Sequence, residues 1–170
     1  MAPRICAIGA GRMGRGIAHV FAYAGSEVVL LDAKERPAED FARLEADALA
    51  EIRSGLETLA ALGLFEAAVI DRIVARITVM PRSRAADAVG SADFVFEGVP
   101  ERKDAKADAF SLIDPHLSDT AVVASTTSTI LVDELIDMVS RPGRFLNAHW
   151  LNPAYLVPLG AGLLAVLAAQ

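Results

Sequence analysis

Two stretches of this 170-residue chain carry side chains whose types and spacing could do chemistry. The first, "CAIGAGRMGRG", places Gly9, Gly11 and Gly14 in the spacing G-x-G-x-x-G. That spacing can cradle a pyrophosphate: Gly9 for a tight turn, Gly11 for close approach of the backbone, and Gly14 for packing a helix against a strand. Arg12 and Met13 sit inside the same loop and are grouped with it as cofactor-binding residues. Asp32 follows about 20 residues later, where a carboxylate can accept both ribose hydroxyls of an adenosine and repel a 2'-phosphate. This favours NAD over NADP, with Lys34 and Arg36 close enough to leave the phosphorylated form open. The second stretch, "HWLNP", offers His149, an imidazole able to take and return a proton near neutral pH, with Asn152 three residues on.

The elements that must position these groups are legible as alternating patterns. An apolar run over Arg4–Ile8 meets the glycines, Met13–Tyr23 is apolar at helical spacing, and a second run over Glu27–Leu31 closes on Asp32. Together they read as a βαβ unit with parallel strands and a right-handed crossover. Ala38–Ala61 is rich in strong helix formers, and Gly63 separates it from a second helical piece over Glu66–Val74. Further strands are expected at Ile77–Val79, Phe94–Phe96, Ala121–Ala124 and Phe145–His149, with helices at Arg84–Ala88, Glu101–Ile113 and Leu131–Val139. Such alternation predicts an α/β fold, a doubly wound, mostly parallel sheet of the Rossmann type with a helical excursion after the second strand.

Composition narrows the functional classes. A net charge of -6 without a Lys/Arg run argues against a nucleic-acid or anionic membrane surface, so an anionic ligand must be held locally. The apolar stretch Leu156–Ala169 is shorter than the roughly 18 to 20 residues that span a bilayer. The single cysteine, Cys6, excludes an internal disulfide framework, lies in an apolar run as a core residue would, and suits a reducing cytoplasm.

Four stretches in this order, "IGAGRMGRGIAHVFAYAGSEVVLLD", "DFVFEGVPERKDAK", "ASTTSTI" and "RPGRFLNAHWLNP", make the chain resemble the N-terminal domain of the NAD-dependent 3-hydroxyacyl-CoA dehydrogenases. The resemblance implies NAD as cofactor, an acyl-CoA or another small hydroxy acid as substrate, and interconversion of a 3-hydroxyl and a 3-keto group. Under it, His149 is the general base and Ser128 hydrogen-bonds the substrate oxygen, although a serine there also suits a helix cap. Asn152 lies beside the nicotinamide, Glu101 and Lys106 line the cofactor side, and Gly98 lies where backbone passes close to the ribose. The helical pair within Lys34–Gly63 is implied on the substrate side, and His19 and His116 fall outside the matched positions.

The resemblance also implies a boundary. Residues 1–159 correspond to the dinucleotide-binding domain, and 160–170 form an atypical apolar tail. By register Ala161 stands where the family has an acid that orients the histidine, and loss of such an acid is expected to cost several orders of magnitude in rate. The family's helical C-terminal domain has no counterpart in this sequence, so a homo-oligomer or a separate chain is expected to complete the substrate side.

Overall fold

The computed structural model describes residues 2–150. Six parallel strands form one sheet in the order β3-β2-β1-β4-β5-β6: β1 is Ile5–Ile8, β2 Val28–Leu31, β3 Ile77–Met80, β4 Phe94–Glu97, β5 Val122–Ser125 and β6 Phe145–Asn147. The order reverses between β1 and β4, which run in register from Ile5 beside Phe94 to Ile8 beside Glu97. Doubly wound sheets bind ligands beyond the carboxyl ends of their strands at such a reversal. Gly9 and Gly98 each follow one of these two strands directly.

Both faces of the sheet are covered because successive strand residues point to opposite sides. Ile5, Ala7, Leu30 and Phe96 pack with Ile17 and Phe21 of α1 (Arg12–Tyr23) and with Ala48, Ile52 and Leu56 of α2 (Ala38–Ala61). α3 (Ile70–Val74) adds Ile70 and Ile73 to the same face. Cys6, Ile8, Val95 and Val123 face the other way, toward α4 (Ala85–Val89), α5 (Lys103–Ile113) and α6 (Val132–Ile136), which contribute Val89, Phe110 and Leu135. The buried residues of α2 recur at 48, 52, 55, 56 and 59, the single apolar stripe that a helix lying on a core requires. Burial pushes the Cys6 thiol up to about 12, so this cysteine is an inert core residue, as its apolar surroundings in the sequence suggest.

Several boundaries differ from the pattern-based expectation, each for a local reason. Leu131 and Asp137 bound α6, so Leu131–Val139 is helical only in its centre. A 3-10 turn over Ala67–Val69 precedes α3, and only the last part of Glu66–Val74 is α-helical. α5 begins two residues after Glu101, because Arg102 is extended (φ -140°, ψ 134°) and the Glu101 side chain is engaged elsewhere. β6 stops at Asn147, which pairs with Ser125, the last residue of β5; Ala148 N–H donates to Ser125 O at 2.9 Å, and His149 lies beyond the ladder. Among the described residues no helix is long and apolar enough to cross a membrane.

Candidate functional site

The loop from β1 into α1 is shaped by contacts that only glycine permits. Gly9 has φ +95°, a conformation other residues rarely adopt, and its carbonyl oxygen would lie 1.9 Å from a Cβ on Gly14. The first turn of α1 is therefore pressed onto the end of β1. A Cβ on Gly98 would in turn meet Met13 Cβ at 3.3 Å and Gly14 N at 3.4 Å, so the two strand ends and the helix start are packed backbone to backbone. At Gly11, by contrast, a Cβ would meet nothing within 4 Å. Gly11 is the N-cap of α1 and makes no side-chain cap, which leaves the amides of the first turn available to an anion.

A cleft of about 730 Å³ opens over this loop, within the range of roughly 300 to 1,000 Å³ that cofactor sites occupy. At one end lie Asp32, Lys34 and Arg36; in the middle lie Gly9, Gly11, Arg12, Met13 and Gly98; at the other end lie Glu101, Thr126, Ser128 and Trp150. Arg15 and Leu44 also line it, so α2 reaches the cleft through Leu44. Asp32 is held by the N–H of Lys34, which donates to Oδ1 at 3.1 Å, and by Nε of Arg36, which donates to Oδ2 at 2.5 Å.

Ser128 and His149 meet although neither lies in a regular element. Ser128 Oγ and His149 Nε2 share a hydrogen bond of 2.9 Å, with both residues exposed. Ser128 follows β5 and His149 follows β6, so the adjacency of those two strands brings the pair together. The Ser128 side chain does not cap α6, whose N-cap is Leu131 with no side-chain hydrogen bond. Among the described residues no carboxylate pairs with His149, which makes its one side-chain hydrogen bond to Ser128.

Glu101 fixes the loop that carries Ser128. Its Oε1 accepts the backbone N–H groups of Ser128 and Thr129, each at 2.8 Å, the hydroxyl of Thr127 at 2.7 Å and that of Thr129 at 3.1 Å. Burial alone would push this carboxyl up. The hydrogen bonds from Thr127, Thr129 and Ser128 and the nearby charge of Lys106 outweigh it and hold the group well below the usual carboxylate range.

Lys106, expected along the cofactor side, is instead fully buried and is not among the cleft-lining residues. Its position on α5 carries it behind the cleft wall, where Nζ donates to Glu97 Oε2 at 2.8 Å and lies 3.3 Å from Glu101 Oε2. Ser125 Oγ donates to the same Glu97 oxygen at 2.6 Å, and Val99 N–H donates to Glu97 Oε1 at 2.8 Å. Glu97, Ser125 and Thr127 were not identifiable from the sequence, since nothing in the spacing of an interior strand glutamate announces a buried lysine partner. Trp150 was also missed. It lines the cleft and stands edge-on to Phe21 and Phe96, with centroids 6.2 and 6.0 Å away. His19 is buried and His116 exposed, both away from the cleft lining. Asn152, Ala161 and the 160–170 tail lie outside the described residues.

The chain matches, over residues 4–160, the family described as 3-hydroxyacyl-CoA dehydrogenase, NAD binding domain. It is 32% identical over 157 residues to a 3-hydroxybutyryl-CoA dehydrogenase of Bradyrhizobium diazoefficiens, covering 92% of this chain and 50% of that protein. It is 33% identical to an L-carnitine dehydrogenase of Streptomyces coelicolor, covering 92% of this chain and 45% of the other. Among solved structures, (S)-3-hydroxybutyryl-CoA dehydrogenase from Ralstonia eutropha superposes with a TM-score of 0.82 at 25% identity, covering 99% of this chain and 60% of that one. The chain thus spans about half the length of the curated relatives it matches.

Proposed function

Because this chain belongs to the 3-hydroxyacyl-CoA dehydrogenase family, over the part that is the family's NAD-binding domain, we propose that it holds NAD in the cleft above the glycine loop and serves the oxidation of a 3-hydroxyacyl-CoA to the 3-ketoacyl-CoA, and the reverse. The observation that carries this reading is the 2.9 Å hydrogen bond between Ser128 Oγ and His149 Nε2 at the end of the cleft opposite Asp32. In that cleft Asp32 would hold the adenosine ribose, the α1 N-terminus would hold the pyrophosphate, and Ser128 would stand at the nicotinamide end. When bound, NAD accepts a hydride from the carbinol carbon, or NADH returns it.

The residues of this chain handle the proton. As the hydride leaves, the hydroxyl proton passes to Nε2 of His149, and the C–O bond becomes the carbonyl; in reduction the imidazolium returns that proton to the oxygen. Ser128 donates a hydrogen bond to the same oxygen and so steadies the charge that develops on it. Asn152, three residues beyond the base, aligns nicotinamide or substrate. Glu101 holds the loop bearing Ser128, and Gly98 lets the cofactor ribose lie close to the backbone. With Ala161 at the position of the family's orienting acid, turnover by this chain is expected to be low. The setting is the reducing cytoplasm that the one free thiol, Cys6, suits.

The test is NADH loss in the presence of acetoacetyl-CoA, with His149→Ala as control and direct NADH titration alongside. Turnover abolished by His149→Ala supports the dehydrogenase. NADH binding without His149-dependent turnover points to a non-catalytic NAD-binding module. Likeness to a relative named L-carnitine dehydrogenase favours one further reading, a dehydrogenase of a small hydroxy acid without coenzyme A; turnover of L-carnitine but not of the thioester would establish it.

A further inference from the structure

Asp32 directly follows β2 at the adenosine end of the cleft, yet its side chain is only 4% exposed. Arg36, itself 31% exposed, covers it, with Nε donating to Oδ2 at 2.5 Å. A ribose diol can use Asp32 fully only when this guanidinium has moved aside. Lys34 lines the same corner and makes no ion pair among the described residues, so two cations face the cleft there against one carboxylate. The acidic residue between them is drawn off: Glu35 Oε1 lies 3.7 Å from Nε of Arg82 and is largely exposed.

Arg82 also fixes the loop. Its Nη1 donates to Ala33 O at 2.6 Å, while Nη1 and Nη2 fork onto Asp108 of α5 at 2.7 and 2.9 Å. The backbone bearing Lys34 and Arg36 is therefore held from outside, and the two side chains remain free to choose partners within the cleft. A bare carboxylate at this position repels a 2'-phosphate, whereas an arginine beside it accommodates one through its planar fork of donors.

We propose that Arg36 determines dinucleotide choice, covering Asp32 in the free protein, moving aside for a ribose diol and turning onto a 2'-phosphate, so that the site takes NADP(H) as well as NAD(H). The inference rests on the cleft being a dinucleotide site. NAD(H) still binds, because Arg36 can be displaced by the diol and Asp32 keeps acceptor capacity on both oxygens. Affinity for the 2'-phosphorylated form comes from a charge-assisted contact that NAD(H) cannot make.

Fluorescence titration of NADH and of NADPH against the full chain, against Arg36→Gln and against Arg36→Lys tests it. Wild type is expected to bind the two within about tenfold of each other, and Arg36→Gln to weaken NADPH by about tenfold or more while NADH holds or tightens. Arg36→Lys, which keeps the charge without the fork, is expected to fall between. Binding of NADH with no measurable NADPH, or an equal loss of both in Arg36→Gln, overturns the proposal and leaves the dinucleotide site standing. Failure of wild type to bind either nucleotide overturns both.

Discussion

Glu101 Oε1 accepts the backbone N–H of Ser128 at 2.8 Å across 27 residues of sequence, tying the start of one helix to the loop whose serine meets His149. The same oxygen takes the amide of Thr129 and two threonine hydroxyls, so a single carboxylate orders the turn. Glu101→Ala is expected to cut His149-dependent turnover by about ten- to a hundredfold, the range that loss of hydrogen bonds to a charged group allows. Glu101→Gln, which keeps one acceptor oxygen, is expected to lose less. Hydrogen exchange over residues 127–130 should accelerate in parallel with the loss of turnover, and unchanged exchange would contradict a positioning role. Because this carboxyl is held below the usual range, its anchoring is present above the ordinary carboxylate pKa and is lost only as pH falls through the depressed value. No loosening of the loop is therefore expected between neutral and mildly acidic pH.

Gly11 and Gly14 belong to one motif but should fail differently. A methyl at Gly14 would stand 1.9 Å from Gly9 O, whereas one at Gly11 meets nothing within 4 Å. Gly14→Ala is expected to lower the melting temperature and abolish NADH binding together. Gly11→Ala is expected to melt as wild type does while binding NADH at least about tenfold more weakly, because its methyl occupies the approach to the pyrophosphate. Thermal melts paired with NADH titration separate the two.

Lys106 and Glu97 are both fully buried, and Nζ to Oε2 is 2.8 Å. Lys106→Met strands a buried carboxylate, and the cost is expected to be about 3–5 kcal/mol in urea unfolding. The double variant Lys106→Met/Glu97→Gln should recover part of that loss, since the uncompensated charge is gone. A Lys106→Met protein as stable as wild type would show that the pair contributes little to folding.

His19 on α1 predicts a pH dependence of stability. Burial pushes its imidazole down from 6.5 to about 4. Between those values the unfolded chain takes up a proton that the folded chain refuses, so unfolding free energy falls as pH drops from about 6.5 through about 4. The full loss is about 3 kcal/mol on the order-of-magnitude scale of 1.36 kcal/mol per pKa unit. Urea unfolding at pH 7.5, 6 and 4.5 measures the slope, and His19→Asn should flatten it.

The sequence by itself determined the βαβ unit, the glycine loop and the placement of Asp32 at a strand end, because these follow from local periodicity and from backbone demands that a few adjacent residues satisfy. It also placed Ser128 beyond one strand and His149 at the end of another, whereas the structure ends that strand at Asn147 and lets strand adjacency bring the two together. What only the tertiary structure decided is which charges meet. Lys106, implied along the cofactor side, is instead turned onto Glu97 once α5 packs against the sheet. Arg36 lies four residues from Asp32, but it covers that carboxylate on a loop whose Ala33 carbonyl is pinned by Arg82 from 49 residues away. Apolar periodicity records which face of an element is buried. The partners of a charge within that burial depend on how distant loops approach one another, and no local pattern encodes that approach.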